Sequence, residues 1–240
     1  MSTKSSRSKG YASQSIGLRR FRILEETRKI IAEKGTGSFS MDEICKRAGV
    51  ARRTLYNIFQ SKEGMIAAAI SQYFDKYVVH SCDGEPEKDL ISVIRRMVAM
   101  ANRNLEVRHY SHVLIGIYHS PDIDECTWRA IHTITLDSHK GWIAHLRDNH
   151  KLQSWADADK LAHNLTRYRY AIGISWMQGH LKDEDFVLHL VSSVLEYMVG
   201  PTRGSARREI EDLLRLIKTS GKLPAFLRSS SGLRLRGAEC

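Results

Sequence analysis

The sequence predicts an all-α fold, with a small amino-terminal three-helix unit followed by a larger helical one. Apolar residues recur at three- and four-residue spacing through most of the chain, as helices burying one face require. No stretch alternates apolar and polar residues for long enough to form a strand. Glycine and proline breaks, such as Gly35, Gly49, Gly84, Pro86, Pro121 and Pro201, cut the chain into helix-sized lengths. With 42% of its 240 residues hydrophobic, the chain can bury a core, and disorder throughout is excluded.

Residues 1–17, rich in Ser, Lys, Arg and Gly, read as a flexible basic leader, or as an arm following a nucleic-acid backbone. From about Leu18 to Glu33, Phe21, Leu24, Thr27 and Ile31 share a helical face, and Gly35 closes that helix. Phe39 to Met65 is the most informative stretch. Ser40 and Glu43 have capping-box spacing, in which the hydroxyl accepts from an orphan N–H and the carboxylate reaches back to the cap. Phe39 and Ile44 have hydrophobic-staple spacing. Ile44 and Ala48 line one short helix, Gly49 supplies a left-handed turn, and Leu55 and Phe59 form the buried stripe of a second. The second helix keeps Arg52, Arg53, Thr54 and Asn57 on its other face. That is the layout of a helix-turn-helix, at about residues 41–60. Ser61 then caps a helix over Lys62 to Val79 with Met65, Ile66, Ala69, Ile70 and Phe74 inward, and Gly84 with Pro86 sets a domain boundary near Ser81–Glu87.

The expected domains are therefore 18–80 and 81–220. In the second, residues 88–119 read as a helix with a separate piece over Tyr110–Tyr118. Asp122–Asp148 reads as one long helix, Ala156–Gly179 and Asp183–Val199 as two more, and Ala206–Lys218 as a last basic one. Residues 221–240 are expected to be a flexible tail.

The net charge of +10 is unevenly spread. Residues 1–65 hold 14 Lys+Arg against 6 Asp+Glu, whereas residues 66–200 hold 14 against 17. A basic head on a mildly acidic body suits a phosphate-binding module, and no long amphipathic helix concentrates the charge as membrane-surface binding needs. The four cysteines (Cys45, Cys82, Cys126, Cys240) are scattered, which argues against a disulfide framework or zinc site and fits a reducing cytoplasm. The Ser/Lys-rich start has no apolar run of a signal peptide, and no apolar stretch is long enough to span a bilayer.

Ala48-Gly49-Val50, Thr54-Leu55-Tyr56, Phe59 and Ser61-Lys62-Glu63, at this spacing, resemble the DNA-binding domain of the tetracycline-repressor (TetR) family of bacterial regulators, over about Arg20–Phe74. The resemblance implies a helix-turn-helix reading a palindromic operator in double-stranded DNA, a homodimer, and a small-molecule effector of unknown identity bound among the later helices. The expected DNA-binding set is Ser40, Arg52, Arg53, Thr54, Tyr56, Asn57, Ser61 and Lys62. Arg and Asn can fork onto guanine and adenine edges, and by resemblance Tyr56 and Lys62 contact phosphates. Two positions depart from the family pattern. Ala51 stands where a Ser or Thr usually caps the reading helix, and Arg53 where a small residue is common.

In the larger domain, Leu161, Leu165, Tyr168 and Ile172 share a face, and Phe186, Leu190, Val194 and Tyr197 form one of two adjoining apolar rows on the next helix. Two rows exceed the single stripe an ordinary core helix needs, so these eight residues are the expected dimer interface, with a helix central to its own domain as the alternative. Met97, Met100, Tyr110, Trp128, His132, Trp142, Tyr168 and Trp176 are the residues that the resemblance makes candidates to line an effector pocket, with Arg129 and His139 as further polar contacts. The eleven histidines invite a metal or catalytic role, and His109, His112 and His119 recur along one helix. No HExxH, GxSxG or paired carboxylate accompanies them, so no catalytic residue, metal or cofactor is expected. Two other classes stay open: a DNA-binding protein answering to a protein partner rather than a small molecule, and a helical metal-dependent enzyme.

Overall fold

The computed structural model describes residues 5–75 and 88–228, and twelve helices occur among them. The chain divides into two units. The first is Met1–Phe74 together with Ile117–Ile131, and the second is Asp75–Gly116 together with His132–Cys240.

The first unit begins with α1 (Ser5–Lys34). The leader expected to be flexible is thus helical from Ser5 onward. No proline interrupts it, and extending an existing helix costs far less than nucleating one. The inward face of α1 is Ile23, Leu24, Thr27, Ile30 and Ile31, so of the expected stripe Leu24, Thr27 and Ile31 are buried and Phe21, 38% exposed, is not. Thr27 is tolerated there because its Oγ1 donates to the Ile23 carbonyl at 2.7 Å. Gly35, at φ 73°, ends the helix with its N–H on the Ile31 carbonyl.

Next come α2 (Met41–Ala48), α3 (Arg52–Phe59) and α4 (Lys62–Asp75). Ser40 caps α2, its Oγ accepting from the Glu43 N–H at 3.2 Å. The other half of the expected capping box does not form: the Glu43 carboxylate accepts from Lys34 at 2.8 Å and Arg47 at 3.2 Å instead. Two cations attract the carboxylate more strongly than one neutral N–H does. Arg47 also forks onto Glu33 at 2.9 and 2.7 Å, joining the end of α1 to α2. Gly49 adopts φ 62° between α2 and α3, as the tight turn requires. In α4, Met65, Ile66, Ala69 and Ile70 are buried. The expected continuation to Val79 and the boundary at Ser81–Glu87 fall outside the described residues.

The second unit holds α5 (Leu90–Glu106), most of α6 (Arg108–Tyr118), the end of α7 (Glu125–Asp137), α8 (Lys140–Asp148), α9 (Ala158–Met177), α10 (Asp183–Val199), α11 (Gly204–Ser220) and α12 (Ala225–Arg228). Its core centres on α10, which packs on α5, α9 and α11. Asp89 and Asp157 cap α5 and α9 by accepting from Ser92 and Lys160 N–H groups. Among the described residues the only β-type pairing is a single antiparallel bridge, Leu152 with Thr202.

Two expectations about this unit change. The helix expected over Asp122–Asp148 is two helices, broken at Ser138-His139. There the Ser138 and His139 N–H groups bond back three residues, to Thr135 and Leu136, and the Ser138 hydroxyl donates to the Thr135 carbonyl at 2.6 Å. The tail expected to be flexible from residue 221 instead continues into α12. Leu223 and Leu227 are buried, and Arg95 Nε donates to the Phe226 carbonyl at 2.7 Å.

Candidate nucleic-acid interface

Helix α3 presents a two-sided surface. Leu55 and Phe59 are buried beneath it, and Arg52, Arg53, Tyr56 and Asn57 are exposed on the opposite side, one turn apart in two pairs. Thr54 is half-buried at the edge of that face. Arg52 lies 5.7 Å over the Tyr56 ring and 3.4 Å from Asp42, a pair so exposed that it holds the guanidinium only weakly. The amino terminus of α3 lacks a side-chain cap, because Ala51 has the extended backbone of an N-cap and no acceptor on its side chain.

The turn from α3 into α4 is tight. Gln60 takes φ 62°, and the Ser61 hydroxyl accepts from the Gly64 N–H at 3.0 Å, capping α4. Lys62 is half-buried, its ammonium 4.4 Å over the Phe39 ring. Ser61 and Ser40 thus act first on the backbone, setting the helix ends from which Lys62 and α3 project. On α1, Arg20 sits 4.9 Å over the Phe59 ring, a further cation outside the expected set.

Of the residues expected to line a pocket, Met97, Trp142 and Trp176 belong to one core cluster, with Tyr168 packed against it. Met97, Tyr110, His132, Trp142 and Trp176 are buried in the second unit, and Met100 and Tyr168 are half-buried there. Trp128 belongs to the first unit, stacked on Tyr118 at 5.9 Å. Trp176 is held by Asp183, which accepts from its indole N–H at 2.7 Å, by Phe186 stacked at 4.5 Å, and by the His112 ring edge at 4.4 Å. His132 and His163 stack with Nε2 and Nδ1 2.8 Å apart, and burial pushes the His132 imidazole down to about 4. A groove of about 380 Å³ runs between α10 and α11, lined by Leu181, Asp185, Leu188, His189, Ile217 and Lys218, and none of the expected pocket residues is on it. Among the described residues no group of three or more His, Cys, Asp or Glu is placed to hold a metal ion.

The expected interface rows also serve the protomer itself. Leu161, Leu165, Ile172, Phe186, Leu190 and Val194 are buried in the core of their own unit, because α10 lies between α5, α9 and α11 and both its rows find partners there. Tyr168 and Tyr197 keep part of their surface open and stack on each other at 5.3 Å.

One group went unnoticed in the sequence. Arg169 stands four residues after Leu165 and seven before Trp176, within the apolar stripe of α9, and is only 8% exposed. Its Nη1 donates to Ser138 Oγ at 2.6 Å and to His139 Nδ1 at 3.2 Å. Because Nδ1 accepts, the His139 proton sits on Nε2, which donates to the Ala162 carbonyl at 3.0 Å. Burial and the Arg169 charge keep His139 neutral, its pKa lowered to about 3. A charged residue at a stripe position was the signal available in the sequence.

Residues 23–69 match the family model described as "Bacterial regulatory proteins, tetR family". The chain is 47% identical over 53 residues to the HTH-type transcriptional regulator UidR of Escherichia coli K12, a match spanning 22% of this chain and only 27% of that relative. Solved structures share the fold over much greater lengths. A putative TetR-family transcriptional regulator from Rhodococcus sp. superposes with a TM-score of 0.59 at 19% identity, covering 75% of this chain and 98% of the other. FadR of Thermus thermophilus, a TetR-family transcriptional repressor solved with lauroyl-CoA, gives 0.56 at 17% identity, covering 78% and 97%.

Proposed function

With residues 23–69 carrying the amino-terminal domain of the tetR family of bacterial regulatory proteins, we propose that this chain is a DNA-binding transcriptional regulator, a repressor that leaves its operator when a small molecule binds its larger unit. The observation that carries the reading is the outer face of α3. Two arginines, a tyrosine and an asparagine stand exposed on a helix whose other side is anchored by Leu55 and Phe59. Such a helix fits the major groove, where Arg and Asn distinguish bases by bidentate hydrogen bonds. Tyr56 and Lys62, with Arg20 on α1, supply phosphate contacts that set register rather than sequence.

The protein acts as a cytoplasmic homodimer on a palindromic site, because one short helix reads too few base pairs to be selective alone. Tyr168 and Tyr197, with the open edges of α9 and α10, are the surface proposed for that pairing. FadR in its complex with lauroyl-CoA supports a small-molecule role for the larger unit. An effector can act only through different affinities for the DNA-competent and DNA-incompetent forms.

Selection of random double-stranded DNA by the full-length protein tests this reading. The expected product is an inverted repeat protected by two chains. Binding with no sequence preference above the salt-dependent background overturns it.

A further inference from the structure

Arg169 is a buried cation with no counter-ion among the described residues. Its partners are neutral: the Ser138 hydroxyl and the His139 Nδ1 lone pair. Its Nε–H is buried and has no acceptor. Near it stand the Tyr170 phenol, neutral at ordinary pH, and a second cation, Arg96 of α5, and among the described residues no Asp or Glu acts on it. Thr166, beside His139, spends its hydroxyl proton on the Ala162 carbonyl at 3.0 Å and offers no charge. Burying a guanidinium without an anion is strongly unfavourable, and a helix pin needs no formal charge to join α9 to the α7–α8 break. A chain that keeps an arginine there holds a place for an anion that arrives from outside.

We propose that Arg169 anchors the carboxylate of a small organic acid, bound in the second unit where α9 faces the break at Ser138-His139. The class follows from charge and geometry. His139 is neutral and Arg96 adds a second positive charge nearby, so charge calls for an anion and the geometry selects the carboxylate. The unused Nε–H and the guanidinium plane offer the fork that a carboxylate accepts bidentately. The flanking stripe residues Leu165 and Trp176 are apolar, so the acid carries an apolar body behind its headgroup. His132, one of the residues expected from the sequence to line a pocket, acts electrostatically on His139. This inference rests on the effector-responsive reading above and names the chemical class of the effector.

The test uses the full-length protein and the Arg169→Met variant. Thermal unfolding is followed with linear carboxylates from acetate to decanoate, their primary amides, and inorganic phosphate. In the wild type, carboxylates should raise Tm increasingly with chain length, while the amides and phosphate should not. Arg169→Met should lose that shift, its carboxylate affinity falling about ten- to a hundred-fold, the usual worth of a charge-assisted hydrogen bond. Without ligand the variant should melt at or above the wild-type temperature, since an unpaired buried charge is gone. The proposal is overturned if no carboxylate shifts the wild type, if the shift survives in the variant, if phosphate alone gives it, or if the ligand-free variant is less stable. Operator affinity is measured separately. Carboxylate binding that leaves it unchanged overturns the effector reading and keeps the site, whereas loss of the site with operator binding intact does the reverse.

Discussion

Gly64, near the start of α4, lies directly against the carbonyl of Phe59, the last residue of α3: a Cβ at position 64 would stand 2.9 Å from that oxygen and 3.3 Å from Ser61 Oγ. The angle between the proposed reading helix and the helix behind it therefore depends on the absence of one methyl group. Gly64→Ala should gain up to about 1 kcal/mol of helix propensity. It should lose about 1–3 kcal/mol to overpacking, because the opposing atom is backbone and cannot rotate away. The expected net effect is a lower Tm and weaker operator binding, measured by calorimetry and by fluorescence anisotropy on the selected site. A stabilised variant with full DNA affinity would show that the turn has slack.

Ala51 offers the opposite opportunity. Its backbone, at φ −70° and ψ 146°, already has N-cap geometry, and its carbonyl accepts from the Thr54 and Leu55 N–H groups. Ala51→Ser should add the missing side-chain acceptor and stabilise the protein by about 1 kcal/mol. A urea midpoint raised at unchanged m-value is the expected readout.

Arg53 and Arg52 should separate in DNA binding. Arg53 is exposed on the outer face of α3, whereas Arg52 shares its charge with Asp42 at 3.4 Å. Arg53→Ala should cost about 1–3 kcal/mol of operator affinity and relax the preference at one base pair if it reads a base edge. Unchanged preference with a shallower salt slope would assign it to a phosphate. Asp42→Ala should hold or slightly raise affinity, since it removes a carboxylate beside the interface.

Stability should fall with pH from about 6.5 downward. Burial, reinforced by the charge of Arg169, lowers His139 to about 3, and burial with His163 beside it lowers His132 to about 4. Unfolded imidazoles protonate near pH 6.5, so below that value the unfolded chain binds protons that the folded chain refuses. The stabilisation is complete above about pH 6.5 and is lost as the pH falls toward the folded values. Each histidine contributes a slope of at most about 1.4 kcal/mol per pH unit. Glu33 and Glu43 are held low chiefly by hydrogen bonds from Arg47 and Lys34, and they affect stability only below the ordinary carboxylate range. Denaturation midpoints between pH 6.5 and 5 should therefore report the histidines, and His139→Asn should flatten the slope there.

What could be read from the chain was local. The cap at Ser40, the glycine turn at Gly49, the pair Leu55 and Phe59 and the limits of α10 depend on residues within one or two turns of each other. Short-range sterics and hydrogen bonding settle them whatever else the chain does. Arg52, Arg53 and Asn57 on the exposed face of α3 were legible for the same reason, since the buried pair dictates which side faces outward, while Tyr56 takes the exposed place expected of Thr54.

Several of the departures involve partners distant in sequence. The break at Ser138-His139 lies beside Arg169, thirty-one residues away from Ser138. The apolar rows of α10 have their use decided by α5, α9 and α11, and the tail is ordered where Arg95 meets the Phe226 carbonyl. Periodicity shows that a face must be covered and is silent on what covers it, because burial is a property of the packed assembly rather than of the helix. The sequence by itself determined most of the helices, the turn and much of the exposed face proposed to meet DNA. Only the tertiary structure decided that Arg169 would be buried with no counter-ion among the described residues, since Ser138 and His139 reach it from the α7–α8 break and Arg96 from α5.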